Sequence, residues 1–492
     1  MLIARWYAQH PLHHLVRTWR ESESLLRLHG FGVLVGAALV SILGSSTAFL
    51  AVAWVSYQYD NSIVHTVIVA TAYSLPAVVL GPVAGRLAET RDCRRVVVNS
   101  YVGQMLVWDG IALLAVIGWL TPWWLTLGSL LGGTFNALHF PAWKRFERGL
   151  VPDDRLDEAN AVFASVGSLA RIVGAVGGGF VITLFGSGVV FALNALSYLP
   201  LVIVTAREPR RPRPLRRTGR RVGRRETIAY VRTEPTVLTA IVMIAILTLL
   251  AVPIGSLLPA VADQIDDEAH VLGLLTAFYA IGGSLVALVL RRLHEEYPKM
   301  HLVAPVVAAC GGSLIVIGLL GDHLGGPGRV VCIIGLLLPI GLGVSIARAV
   351  LSSVVQLGSS PEMEVYVLGL YGAAVSLVTP IGGLSLATVT ELTSVWFSVA
   401  VAGGLLLVVA VVIRAVHPTT MVTMDPRRHH GTALVHAFHL EQIVGGFVHL
   451  DRFSRVPEHR AGLVPGAGRP ADPVPEEGED RAEPPAAPRP VG

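Results

Sequence analysis

The sequence predicts an all-α membrane protein, with twelve transmembrane helices arranged as two six-helix bundles. Three observations carry this. Hydrophobic residues make up 53% of the 492-residue chain and charged residues only 15%, where an ordinary soluble chain carries about 25% charged residues. Apolar runs of about 20 residues, long enough to cross roughly 30 Å of hydrocarbon as a helix, recur from Phe31 to Ile413. The connections between these runs alternate between basic and acidic, as in a chain threaded back and forth with its basic loops on the cytoplasmic side.

The elements follow in order. Residues 1-30 place Trp6, Tyr7, Leu12, Leu15, Val16 and Trp19 among arginines and histidines, the composition of a cytoplasmic helix lying in the membrane interface. No small-residue cleavage site follows a short apolar core there, so no cleaved signal peptide is expected. The first bundle, 31-206, holds spans near 31-56, 64-84, 96-118, 122-142, 159-183 and 187-206. An Arg- and Pro-rich stretch, 207-235, reads as a cytoplasmic linker. The second bundle, 236-417, holds spans near 236-260, 271-290, 300-321, 328-350, 366-389 and 394-413. The tail, 418-492, ends in thirty residues dominated by Pro, Glu, Ala, Gly and Arg, too poor in apolar groups to bury a core and expected to be disordered. Between Gly431 and Phe453 there is enough Leu, Val, Ile and Phe for a short helix or hairpin.

Charge placement sets the topology. Arg86, Arg91, Arg94 and Arg95, then Lys144, Arg145, Arg148 and Arg155, then Arg207 to Arg232, then Arg291, Arg292 and Lys299 fall in every second connection. The alternate connections carry Asp60, the group Asp263, Asp266, Asp267 and Glu268, then Asp322 and Glu391, with Arg329 as their one basic residue. An even span count then puts both termini in the cytoplasm of a multi-pass protein of the cell membrane, expected to be a monomer in the lipid bilayer. The net charge of +4 is thereby read as an orientation signal, and no nucleic-acid partner is expected.

Other classes of chemistry find no support. Cys93, Cys310 and Cys332 stand far apart, without the spacing of a disulfide framework or a thiolate metal site. The tail histidines His429, His430, His436 and His439 have no Cys nearby and no ordered scaffold, so no metal site is assigned. There is no P-loop, nucleophile elbow or His-Glu-x-x-His helix. The chain is therefore not expected to be an enzyme, and no cofactor is implied.

A weak internal repeat joins the halves. Val151-Pro152-Asp153-Asp154 leads into a span reaching Gly174 and Gly177-Gly178-Gly179, and Ser360-Pro361-Glu362-Met363 leads into one reaching Pro380-Ile381-Gly382-Gly383. From either proline, 22 residues reach a glycine, Gly174 or Gly383. Small residues at such places let helices pack closely where lipid supplies no hydrophobic drive. Against this apolar background, ionisable groups at membrane depth are costly and demand a partner or a role. Asp109, near the middle of the third span, and Arg171, near the middle of the fifth, are expected either to pair or to face one polar network. Arg348 ends the tenth span, where it either snorkels or meets an anionic substrate. Ser45, Ser46 and Thr47 form a hydroxyl cluster in the first span.

The loop Gly85-Arg86-Leu87-Ala88-Glu89-Thr90-Arg91-Asp92-Cys93-Arg94-Arg95 resembles the cytoplasmic signature of the major facilitator superfamily. Asp92, where most members have glycine, resembles the transmembrane secretion effector branch, which includes enterobactin-exporter-like and macrolide-efflux-like proteins. Ser41-Ile42-Leu43-Gly44, Phe140-Pro141-Ala142, Leu156 with Ala159-Asn160-Ala161, Asn194-Ala195-Leu196-Ser197-Tyr198, Tyr230-Val231-Arg232 with Pro235, and Leu368-Gly369-Leu370-Tyr371 extend the likeness over 30-415.

The resemblance implies the major facilitator fold and a secondary active transporter that exports small amphipathic molecules, such as a drug, siderophore or secondary metabolite, in exchange for protons. Gly85 would permit close helix approach in the gating loop, where Glu89 would pair with Arg94 or Arg95 or accept hydrogen bonds from a helix N-terminus. Gly174-Ala175-Val176-Gly177-Gly178-Gly179 resembles the antiporter signature, with Ala175 in place of its proline, while Pro380 keeps the proline in the equivalent span. Gly174, Gly178, Gly179, Pro380, Gly382 and Gly383 are the helix-packing candidates. Spans one, four, seven and ten line the cavity in this superfamily, which makes Asn136 and His139 candidates for cavity groups, with a helix-end cap the other reading of His139. Ser45 stands where many relatives carry an acidic residue, so an obvious proton carrier is missing. An importer or lipid-handling facilitator of the same fold, and a transport-inactive scaffold or regulator, remain alternatives.

Overall fold

The computed structural model describes residues 30–152, 155–208, 223–251, 253–266, 268–286, 289–290, 302–321, 323, 326–360 and 362–416. The segment 1-29, most of the Arg-rich linker, Arg291, Arg292, Lys299 and the tail with its histidines lie outside the described residues. The first half runs α1 (Phe31–Gln58), α2 (Ile63–Thr90), α3 (Cys93–Val116), α4 (Pro122–Leu150), α5 (Leu156–Phe185) and α6 (Ser187–Arg207). A short surface helix follows, α7 (Arg224–Thr233). The second half runs α8 (Pro235–Ala251), α9 (Ile254–Asp266), α10 (Ala269–Ser284), α11 (Val303–Leu320), α12 (Gly326–Gly358), α13 (Glu364–Leu392) and α14 (Val395–Val416). Among the described residues there is no strand.

Local chemistry sets the boundaries. The Ser62 side chain accepts from His65 N to cap α2, and the Asp92 side chain accepts from Arg94 N to cap α3. Pro122 opens α4, where its missing N–H costs nothing. Gly186, at φ 80°, ends α5 in a conformation that only glycine adopts freely. Several helices run past the expected span ends: α2 carries on through Glu89, α4 continues through Pro141 to Leu150, and α12 reaches Gly358.

Among the described residues, ten segments are long and apolar enough to cross a membrane, with Pro235–Asp266 taken as one broken span. This refines the expected twelve. α4 is 29 residues long, but Trp123, Trp124, its glycines, Asn136 and His139 dilute its apolar stretch, and Lys144, Arg145, Glu147 and Arg148 crowd its last turns. α10 has only 16 residues, about 24 Å at 1.5 Å per residue, although Val286, Val289 and Leu290 beyond it are also helical. The span expected at 236-260 divides into α8 and α9 around Pro253, which cannot supply a helical N–H.

The two halves pack alike. α2 lies on α4 as α10 lies on α12, α3 on α6 as α11 on α14, and α1 on α5 as α8 on α13. The match extends to single contacts. A Cβ on Gly133 would come within 2.0 Å of the Tyr73 carbonyl oxygen, and one on Gly341 within 2.0 Å of that of Tyr279. By contact, Gly174 on the Leu43 carbonyl matches Gly382 on the Leu249 carbonyl, so the partner of Gly174 is one residue earlier than the Gly383 that proline spacing selects. Backbone-to-backbone approach of this kind replaces hydrophobic drive as the source of helix cohesion in lipid.

Candidate functional site

The halves meet through two crossings related by the same repeat, α5 with α10 and α2 with α13. At the first, a Cβ on Gly273 would lie 2.6 Å from the Ala175 carbonyl, and one on Gly179 would lie 2.7 Å from that of Ala269. At the second, a Cβ on Gly383 would lie 2.8 Å from Val67 Cγ1. Both crossings sit toward the end of the molecule that carries Asp60, Asp263, Glu268 and Glu391, here called the acidic end; the arginine-bearing connections mark the basic end.

Hydrogen bonds reinforce the acidic end. Tyr57 of α1 donates its hydroxyl to Asp263 Oδ2 of α9 at 3.1 Å. Ser62 donates to Glu391 Oε1 of α13 at 2.5 Å, and the Val64 N–H donates to the same oxygen at 3.4 Å. Glu391 thus sits at the N-terminus of α2, where the helix dipole favours an anion. The Phe180 and His270 rings stack at 5.7 Å between α5 and α10. A cavity of about 340 Å³ adjoins this seam, lined by Tyr57, Asn61, Gln264, Glu391, Ser394 and Trp396 among others.

Toward the basic end the same faces part. On α5, Arg171 lies one turn from Ala175, yet it is exposed, as is Ala164 further along. On α13 many residues are half-buried, but toward the basic end Gly369 and Gly372 are exposed, and a Cβ on either would meet nothing within 4 Å. The gap between the halves therefore opens at the basic end.

The sequence-selected residues distribute as follows. Gly174 packs on Leu43 and Ser46, Gly178 on Thr47, Gly179 on α10, Gly382 on Leu249 and Gly383 on Val67, while Pro380 lies inside α13. Gly85 is different: a Cβ there would meet nothing within 4 Å, so the expected close approach is not made in this conformation, whose basic end is parted. Glu89 and Arg95 are exposed. Arg94 Nη1 donates to the carbonyls of Ala206 and Glu208 at 3.0 and 2.8 Å, not to Glu89; the carbonyls at the end of α6 lack helical partners and carry partial negative charge. Arg145 of α4 donates to the Ala88 carbonyl at the end of α2.

Asp109 and Arg171 do not pair. α3 packs on α4 and α6, whereas α5 packs on α1 and α10, so similar depth along the chain gives them no shared face. Asp109 is exposed on the outer stripe of α3 with Leu106, Leu113 and Val116. Arg171 Nη2 donates to Ser168 Oγ at 3.2 Å, and its guanidinium lies over Gly167, where a Cβ would stand 3.4 Å from Nη1. Arg348 is exposed on α12, and its backbone carbonyl accepts from the Tyr371 hydroxyl of α13 at 3.5 Å.

His139 neither lines the gap nor caps a helix end. α4 continues past it, and it is buried inside the first half. Its Nδ1 lies 3.0 Å from the Asn136 carbonyl and therefore carries the proton, leaving Nε2 to accept from Tyr101 at 3.4 Å. The Asn136 side chain is half-buried. Sequence reasoning missed the cluster to which His139 belongs: Tyr101 stacks on Tyr198 at 5.8 Å, and Tyr198 donates to Gln104 Oε1 at 3.3 Å and bonds Ser45 Oγ at 3.0 Å. The available signal was Tyr198, which closes the Asn-Ala-Leu-Ser-Tyr stretch, together with Ser45 in the hydroxyl cluster.

A helical membrane protein with two repeat-related halves and a gap opening at one end matches a known group of proteins. Residues 22–449 match the family described as Transmembrane secretion effector, of the major facilitator superfamily. The chain belongs to that family. Among curated relatives of this chain, the multidrug efflux pump Tap of Mycolicibacterium fortuitum is 25% identical over 58% of this chain and 73% of its own length. The uncharacterized MFS-type transporter YfiS of Bacillus subtilis (strain 168) is 24% identical over 46% of this chain. That match spans 54% of YfiS, about half its length. Among solved structures, the nucleoside transporter NupG superposes with a TM-score of 0.62 at 13% identity, covering 79% of this chain and 98% of NupG. A bacterial homolog of the lysosomal transporter Spinster, captured inward-facing and unoccupied, superposes at 0.58 with 11% identity, over 80% and 95% of the two chains. At these identities the structures establish the fold, and the family match establishes an integral membrane protein of the major facilitator kind.

Proposed function

We propose that this protein exports small amphipathic molecules from the cytoplasm in exchange for protons, by alternating access. The basic end is cytoplasmic, as its arginines require, so the conformation described is inward-open. The observation that carries the reading is the seam itself: the halves touch at the acidic end through small residues and two carboxylates, while the face that continues from that seam is exposed toward the basic end. Rocking about the crossings would part the Tyr57–Asp263 and Ser62–Glu391 contacts and bring the basic ends together. Gly85 would then be covered, and Glu89, Arg94 and Arg95 would come within reach of the facing half. Gly174, Gly178, Gly382 and Gly383 let the helices move as packed units.

The test is efflux of a panel of dyes and antibiotics from cells expressing the chain, with and without a protonophore. Export that collapses with the proton gradient is expected. Accumulation above the control would mark an importer, and a panel unmoved in every condition would sink the transport reading in favour of a scaffold.

A further inference from the structure

The gap between the halves carries unbalanced charge. Among the described residues, the Asp, Glu, His, Lys and Arg side chains well inside the membrane-spanning helices are Arg171, Arg348, Asp109 and His139. Asp109 belongs to the outer stripe of α3, and His139 is sealed within the first half. That leaves two guanidiniums facing the gap. Arg171 is fixed by its position on α5, one turn from Ala175 on the side that meets α10, and by its bond to Ser168. Arg348 is fixed by its exposure on α12 and by Tyr371, whose hydroxyl donates to the Arg348 carbonyl at 3.5 Å from α13, a helix of the second half that crosses to the first. Neither has an acidic partner among the described residues. A guanidinium cannot shed its charge in a protein, and holding one at membrane depth without a counter-ion is unfavourable. A structure that keeps two such groups, one in each half and both exposed to the gap, is built to receive the missing negative charge from outside the chain.

Resting on the transporter reading above, we infer that Arg171 and Arg348 form an oxyanion-binding site in the gap and that the transported molecules carry a carboxylate, sulfonate or phosphate group on an apolar body. The two residues lie at different depths. Counting helix rise from the basic end, Arg348 is about 15 Å in and Arg171 about 22 Å in, so the anion meets Arg348 first and Arg171 nearer the acidic-end seam. The planar fork of each guanidinium suits bidentate contact with an oxyanion.

The full-length protein in phosphatidylcholine nanodiscs tests this, with coumarin-3-carboxylate and its uncharged methyl ester as fluorescent probes. The carboxylate is expected to bind more tightly than the ester. Arg171→Gln and Arg348→Gln should each weaken the carboxylate about tenfold, the loss expected for one charge-assisted hydrogen-bonded contact, and change ester binding less than twofold. Arg329→Gln serves as control, because Arg329 stacks over Trp396 at 4.7 Å, away from the gap. Unaltered thermal unfolding of each variant separates lost binding from lost fold. Equal binding of acid and ester, or equal losses in all three variants, would overturn the inference. So would carboxylate binding abolished by adding phosphatidylglycerol to the disc, because a lipid headgroup would then be the natural occupant. Arg-dependent anion binding without efflux in cells would uphold the site and refute transport; efflux of uncharged dyes that ignores both substitutions would do the reverse.

Discussion

Gly179 offers the sharpest test of the seam. A Cβ there would stand 2.7 Å from the Ala269 carbonyl oxygen and 2.9 Å from His270 Cα. Both obstacles are backbone, so no side chain can swing aside, and Gly179→Val forces α5 and α10 apart at the acidic end. Overpacking of this kind costs about 1–3 kcal/mol, and a rigid obstacle puts the cost toward the upper part, about 2–3 kcal/mol, or a shift of roughly 30- to 150-fold in the conformational equilibrium. The cost falls only on the conformation in which the acidic ends touch. Spin-label pairs report it once Cys93, Cys310 and Cys332 are replaced by alanine. A pair at Leu184 and Glu268 should lengthen, and a pair at Ser165 and Gln356 should shorten. Gly177→Val is the matched control: it lies on the same helix, two residues earlier, and a Cβ there meets nothing within 4 Å. If both valines shift the distances equally, or if Gly179→Val folds normally and leaves the Leu184–Glu268 distance unchanged, the seam does not govern the equilibrium.

Other outcomes follow from the same contacts. Gly85→Leu should leave the inward-open distances and the melting temperature unchanged, because its surroundings are empty here, while reducing efflux at least tenfold by blocking closure of the basic end; normal efflux would refute the closure. Asp109→Asn, on the outer stripe of α3, should leave proton-driven efflux within twofold of the unsubstituted protein, and loss of the uncoupler-sensitive component would restore a coupling role to it. His139→Ala should destabilise the first half by about 1–3 kcal/mol, the cost of stranding the buried Tyr101 hydroxyl, read as a lower unfolding temperature in detergent. Gly133→Ala and Gly341→Ala should lower that temperature by similar amounts, since each places a methyl against a tyrosine carbonyl in the matching position of its half.

The fold was legible because the bilayer imposes it. Apolar runs, alternating basic loops and a weak repeat are direct consequences of hydrocarbon thickness, orientation and internal symmetry, and each needs only local sequence. The packing glycines were legible for a related reason: without hydrophobic drive, close approach needs small residues, and Gly174, Gly178, Gly179, Gly382 and Gly383 all fall on helix contacts. Facing was not legible. Asp109 and Arg171 share a depth, but which way each points depends on which helices neighbour α3 and α5, and that is a property of the assembled bundle. His139 illustrates the same limit, since only the buried Tyr101 on another helix shows it to be part of an interior hydrogen-bonded cluster. The partners of Arg94 were obscured differently: the carbonyls it satisfies lie at and just beyond the end of α6, more than a hundred residues away in the chain.

The paired glycine-to-carbonyl contacts have one more consequence. Gly133 and Gly341 set a register of 208 residues between α4 and α12, and Gly174 with Gly382 keeps it between α5 and α13, while the carbonyls they meet stand 206 apart. Carried along that register, Arg348 falls opposite Phe140, which is likewise exposed, and Arg171 falls opposite Thr379. The scaffold is thus a faithful copy of itself while the chamber it encloses is not: each cation has an uncharged counterpart across the pseudo-twofold axis. A symmetric frame that sets one cation in each wall, at unequal depths and each opposite an uncharged residue, gives a bound molecule a head and a tail, so cargo would enter in a single orientation.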